Sequence, residues 1–257
     1  MRPQRAAPLI ATLFLVACGE ADPAETMQSA ATSGETAASG GENRNRIDER
    51  ATTLATNESS GDAGRALRIV MLGDSLTAGF NLPPDEALPD QIEDRMDALG
   101  YETEFVNAGV SGDTTAGGLA RYDFSVRSLA PDLLIVALGA NDFLSGLDPN
   151  RARENLDQIM TMAGEDNLPV VLFSLEPRTR TSERERAFTD IYKDLSVTYG
   201  AALYAGFMAP ISDKPEYLQP DGLHPTAEGV SLVADKAAEF LTPLIADIHE
   251  KRKSTAD

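Results

Sequence analysis

The chain has 257 residues, 42% of them hydrophobic, which allows one large domain or two small ones. Its 41 acidic residues outnumber 22 basic ones for a net charge of −19, so nucleic acid and anionic lipid headgroups are repelled rather than bound. One cysteine and two histidines exclude an intrachain disulfide, a thiolate zinc cluster and a histidine-rich metal site.

In chain order, the first element is a leader. MRPQR carries two positive charges, and APLIATLFLVA (7–17) is apolar but too short to span a bilayer, as suits the h-region of an export signal. The run ends in Leu15-Val16-Ala17-Cys18-Gly19. That ending resembles the lipobox of bacterial lipoproteins. The resemblance implies cleavage after residue 17, lipidation of Cys18 and a membrane anchor at the mature N-terminus. With Gly19 rather than aspartate next, it further implies the cell envelope, at the periplasmic face of the outer membrane in a Gram-negative cell. Residues 18–66 follow as a tether. They are rich in Ala, Thr, Ser, Gly and Glu, with no aromatic between Phe14 and Phe80. Such a stretch buries too little apolar surface to offset the entropy of ordering. Its span on flexible-linker scaling is about 35–40 Å.

From residue 67 apolar runs alternate with helical patterns. LRIVML (67–72) reads as a strand, and Ile92, Met96 and Leu99 recur at helical spacing before a stop at Gly100. TEFVNA (103–108) is a second strand, followed by a glycine-rich turn and a helix predicted over 115–129. DLLIVALG (132–139) is continuously apolar, as expected of a strand buried on both faces. A helix over 151–163, a strand at PVVLFSL (169–175), a helix over 183–199 and a weak strand at AALYAG (201–206) come next. The last helix is expected over 226–246, its stripe running from Val230 to Leu244. The domain is therefore predicted to span 67–247, with residues 248–257 as a charged, solvated tail containing His249. This alternation predicts an α/β fold, a three-layer α/β/α sandwich around a central five-stranded parallel sheet.

Sites in open sheets form beyond the carboxyl ends of the strands, which directs attention to four loops. GDSLTAG (73–79) lacks the Gly-Lys-Ser/Thr ending of a phosphate-binding loop. It also fails the G-x-S-x-G pattern of an α/β-hydrolase elbow, because Thr77 stands two beyond Ser75. Acyl transfer needs a nucleophile, a base, a group to orient the base and donors for an oxyanion. Ser75 sits where the first strand meets its loop, and Gly112 can bring backbone N–H close to a substrate. Asn141 offers an amide that does not titrate. Asp221 and His224 are three apart, so one turn can put both on the same side. Asp74, Asn107 and Asp113 are expected to brace loops through their side chains.

Together these four segments resemble the blocks of the SGNH-hydrolase superfamily, the GDSL esterases, across roughly 67–245. VNAGVSGDTTAGGLAR (106–121) and QPDGLHP (219–225) are most similar to its bacterial thioesterase/lysophospholipase and arylesterase branch. The resemblance implies the flavodoxin-like SGNH fold. It also implies Ser75 as nucleophile, His224 as general base, and Asp221 as the residue that orients the histidine. Oxyanion donors would be the backbone N–H groups of Ser75 and Gly112 and the side chain of Asn141. It implies a small-molecule or lipid ester as substrate, with no cofactor, no metal and no protein partner. Arylesterase or lysophospholipase chemistry is the leading expectation; a carbohydrate O-acetylesterase and a non-catalytic envelope binding protein are the alternatives. Two departures bear on specificity. Phe143 follows the Asn-Asp pair, where relatives often carry a small residue, and is expected to line the acyl pocket with Met208 and Tyr217. EPRTRTSERERAF (176–188) interleaves Arg178, Arg180, Arg184 and Arg186 with three glutamates, and is read as a solvated helix start with local ion pairs.

Overall fold

The computed structural model describes residues 65–174 and 181–256. The leader, Cys18 and nearly all of the tether lie outside these, as do Glu176, Arg178 and Arg180. Five strands form one parallel sheet: β1 (Leu67–Gly73), β2 (Thr103–Gly109), β3 (Leu133–Ala137), β4 (Val170–Ser174) and β5 (Ala202–Ala205). Their spatial order is β2-β1-β3-β4-β5. The chain thus winds outward on both sides of β1 and β3, and a crevice opens between the carboxyl ends of those two strands.

Eight α-helices lie among the described residues. They are α1 (Ser75–Ala78), α2 (Leu88–Ala98), α3 (Thr115–Ala120), α4 (Tyr122–Ser125), α5 (Ala140–Leu144), α6 (Pro149–Glu165), α7 (Glu183–Tyr199) and α8 (Ala227–Ala256). Period-two alternation divides the central strands between two cores. Ile69, Met71, Ile135 and Phe173 face Ile92 and Met96 of α2 and Val233 and Leu241 of α8. Val70, Leu72, Val136 and Leu172 face Leu156 and Ile159 of α6 and Ile191 and Leu195 of α7. All five residues of β3 are buried, which accounts for their unbroken apolar character.

Helix starts follow local chemistry. Asp148 caps α6 ahead of Pro149, and Ser182 with Glu185 forms a capping box at α7. Two predicted helices need correction. The one expected over 115–129 is broken into α3, α4 and a 3-10 turn at Arg127–Leu129. Gly117 and Gly118 weaken it, and Arg121 leaves helical geometry to pair with Asp113 and donate to the Gly73 carbonyl. Those contacts outweigh one more turn of helix. The last helix does not stop at 246 but runs to Ala256, so most of the expected tail is helical. Ile248 continues the apolar stripe, Arg252 approaches Asp132 at 3.5 Å, and His249 meets the Tyr101 ring edge-on. His249 is half-buried rather than free in solvent.

Candidate active site

Ser75 occupies its position because of what surrounds it. Buried Asp74 caps α1 by accepting the Leu76 N–H at 3.0 Å, which makes Ser75 the first helical residue. First-turn N–H groups have no intrahelical acceptor, so that of Ser75 is available to a substrate. At Gly109, the end of β2, an added Cβ would lie 2.3 Å from the Ala78 nitrogen. Glycine there lets α1 seat directly against the sheet.

The partner loop is closed on itself. A bridge pairs Leu218 with Pro225, the Gln219 N–H donates to the His224 carbonyl at 2.7 Å, and Gly222 turns the chain with φ +68°. The Gln219 side chain donates to the carbonyls of Phe80 and Pro225, and its oxygen accepts from Asn81. Gln219 therefore clasps the loop after β1 to the histidine turn. Sequence reasoning missed this clasp, although Gln219 stands at the head of the QPDGLHP block.

Within that turn Asp221 Oδ1 accepts the backbone N–H groups of Leu223 and His224, at 2.9 and 3.0 Å. Its Oδ2 accepts from His224 Nδ1 at 2.7 Å, and Ser75 Oγ lies 2.8 Å from His224 Nε2. The bond to the imidazole, helped by the two backbone donors, holds the Asp221 carboxyl down at about 2. An ionised Asp221 keeps the proton on Nδ1 and leaves Nε2 to accept from the serine. The Phe80 ring lies 4.3 Å from the imidazole and covers it.

The remaining predicted donors converge on the same place. Gly112 has φ +87°, a conformation that favours glycine, and it lines the cleft beside Ser75. Asn141 lies on α5. One hydrogen of its amide is donated to the Asp113 carbonyl at 2.8 Å, which orients the group and leaves the second for the cleft. Asp142 is buried and accepts from Thr115 N–H and Oγ1, at 2.8 and 2.7 Å, tying α5 to α3. Asn107 and Asp113 brace their loops, by accepting the Gly109 N–H and by pairing with Arg121.

The cleft measures about 550 Å³, and its walls are mostly apolar. Phe143 and Met208 line it, as do Phe188, Ile211 and Leu223, which the sequence did not single out. Tyr217 is not among the residues that line it. That ring packs on the core under α8 with Lys214 over its face, because the 3-10 turn at Pro215–Tyr217 directs it inward. Arg184 also departs from expectation. Instead of pairing locally in solvent, it lies over Phe143 and Phe188 and donates to carbonyls of the α5 segment.

Asp74, next to the nucleophile candidate, is a carboxyl whose ionisation is opposed by its surroundings. Burial raises its carboxyl from 3.8 to about 6, against the Leu76 N–H and the His224 imidazole, which lower it. Among the described residues its Oδ2 accepts no hydrogen bond. The folded state thus holds this proton more tightly than the unfolded chain. The associated stability is complete below about pH 3.8 and is lost as pH rises through 6. The amount is on the order of 3 kcal/mol. Asp74→Asn has no proton to lose, so its melting temperature should gain on that of the wild type between pH 4 and pH 7. Calorimetry of both proteins at pH 4, 5.5 and 7 checks this, and a difference that stays constant would contradict it.

Comparison with known proteins gives the site its context. Residues 71–232 match the GDSL-like Lipase/Acylhydrolase family. The thioesterase 1/protease 1/lysophospholipase L1 of Escherichia coli K12 is 33% identical over 184 residues, 71% of this chain and 87% of that protein. The arylesterase of Vibrio mimicus is 32% identical over 175 residues, 68% of this chain and 88% of the relative. In three dimensions the chain is similar to the psychrotrophic esterase EstA from Pseudoalteromonas sp., solved inhibited by monoethylphosphonate. That match has a TM-score of 0.66 at 27% identity, covering 70% of this chain and 98% of the esterase. With Ser75 on the helix after β1, a histidine turn closing on it and a match across most of the sheet, the chain belongs to the GDSL-like lipase/acylhydrolase family of SGNH hydrolases.

Proposed function

We propose that the protein hydrolyses carboxylic esters through Ser75, His224 and Asp221, by way of an acyl-enzyme. The observation that carries this reading is the unbroken hydrogen-bond chain from Ser75 Oγ through the imidazole to the Asp221 carboxylate, opening on an apolar cleft. Ser75 Oγ attacks the ester carbonyl carbon while its proton passes to His224 Nε2. The carbonyl oxygen, now an anion, accepts from the Ser75 and Gly112 N–H groups and from the Asn141 amide. The tetrahedral adduct collapses, the C–O bond to the alcohol breaks, and His224 returns its proton to the departing oxygen. Water then repeats the sequence on the acyl-serine, giving up a proton to His224 and releasing the acid with Ser75 restored.

The cleft favours a hydrocarbon acyl group, because Phe143, Phe188, Met208 and Ile211 offer it contact without polar groups to satisfy. Arylesterase or lysophospholipase-type activity is the finer assignment, supported by the names of the Vibrio and Escherichia coli relatives. A series of chromogenic esters of increasing acyl length tests it. Turnover should rise from acetate to medium chains, whereas activity confined to acetate would point to an O-acetylesterase.

The same reading places the enzyme at the cell envelope, held by a lipid on Cys18. Support comes from the basic leader and the Leu-Val-Ala-Cys ending at residues 15–18. An exported enzyme does not meet cytoplasmic acyl-CoA, so oxygen esters rather than CoA thioesters are the assigned substrates. Cys18→Ser should move the protein from the membrane to the soluble fraction; unchanged fractionation would reject the anchor.

A further inference from the structure

The helix that carries Asn141 has only five residues, and a helix of one turn has no stability of its own. Something outside it must hold it in place. Its start is tied down by Asp142 on Thr115 and by the Asn141 amide on the Asp113 carbonyl. Beyond its end the Asp142 and Phe143 carbonyls accept the Leu147 and Gly146 N–H groups at 2.9 and 3.2 Å, and one side chain from another element adds a further donor to both. Arg184 Nη2 lies 2.7 Å from the Phe143 carbonyl and 3.2 Å from those of Asp142 and Leu147. The guanidinium also sits 4.8 Å from the Phe143 ring centre and 5.1 Å from that of Phe188. A cation at the carboxyl end of a helix satisfies both its lone pairs and its dipole. A planar guanidinium can stack on two rings while donating in its own plane, which an ammonium cannot do.

We infer that Arg184 is a positioning residue for the hydrolytic reaction: it holds α5 so that the Asn141 amide meets the developing oxyanion and the Phe143 ring forms the cleft wall. The inference rests on the assignment of Asn141 as an oxyanion donor. Arg184 touches neither the reacting atoms nor the nucleophile, and it acts through the backbone of α5. Misplacing a catalytic group by about 1 Å can cost 10²-fold, so a small slip of this helix is enough to be measured. The role is held across the fold, since α7 supplies the clamp and α5, which follows β3, supplies the amide.

A double-mutant cycle separates this from a merely structural role. With an acetate ester as substrate, Arg184→Met should lower kcat by about 10-fold and leave KM within about 3-fold. In an Asn141→Ala background the same change should cost less than about 2-fold, because the group it positions is gone. Arg184→Lys keeps a donor without the stacking, and it should recover part of the lost kcat. It also carries the cycle if the methionine variant fails to fold. Equal losses in both backgrounds, or a loss confined to KM, would overturn the proposal. If Asn141→Ala alone leaves kcat within a few-fold, it is the oxyanion assignment that falls, a different result from additivity.

Discussion

Ser75→Ala should lower ester turnover by at least about 10⁴-fold while leaving thermal unfolding unchanged. The expectation is this large because, in the proposed mechanism, no neighbour can take over the attack made by the Ser75 hydroxyl. Its Oγ is the atom 2.8 Å from His224 Nε2, and water admitted in its place would lack the covalent tether to α1. The fold is expected to tolerate the change. Asp74 still caps α1 through the Leu76 N–H, and alanine is the best helix former for the vacated position. The variant should also take up no phosphonate, whereas the wild type should be labelled on one peptide containing residue 75. Retained turnover or undiminished labelling would show that another residue is the nucleophile.

Asn141→Ala carries the second-largest expected effect, a fall of about 10²–10³ in kcat. On the proposed assignment, losing one donor among three costs less than losing the nucleophile, since the backbone N–H groups of Ser75 and Gly112 remain. It costs more than an ordinary surface hydrogen bond because the anion forms in a cleft with apolar walls, where screening is weak. KM should change little, as the amide binds the oxyanion more strongly than the ground-state carbonyl. Steady-state kinetics on a soluble chromogenic ester checks it. A loss of only a few-fold would leave Asn141 with its structural bond to the Asp113 carbonyl and nothing more.

Much of this arrangement could be read from the chain itself, for identifiable reasons. β1 and β3 are buried on both faces, so their apolar runs are continuous and their ends fall within a residue or two of where they were expected. Ser75, Gly112, Asn141, Asp221 and His224 stood out because four short blocks in order resemble one family; in the structure Ser75, Gly112, Asn141 and His224 line one cleft, and Asp221 joins them through His224. What could not be read depended on partners distant in sequence. The break after Ala120 is decided by Arg121 reaching the Gly73 carbonyl, 48 positions away. Arg184 belonged to a run of alternating charges that looked like any solvated helix start, and only the folded chain brings it to Phe143. The polar composition beyond 246 hid a helix whose apolar spacing survives in Ile245 and Ile248 alone. Tyr217 had an aromatic ring near the right loop, but its direction is a property of the turn and not of the residue.

The Gln219 clasp has a consequence for how the enzyme comes into being. Ser75 and His224, the proposed nucleophile and base, are 149 positions apart, near opposite ends of the domain, and they meet only when the 218–225 turn is laid against Phe80. A nascent chain emerging as far as α7 already holds Ser75, Gly112 and Asn141, yet has no residue to take the serine proton. In the proposed mechanism hydrolytic competence waits for the chain to reach His224, and a chain ending before it lacks the base. Turnover of a chromogenic ester becomes a clock for the completion of folding, reading the arrival of the final loop rather than the collapse of the sheet.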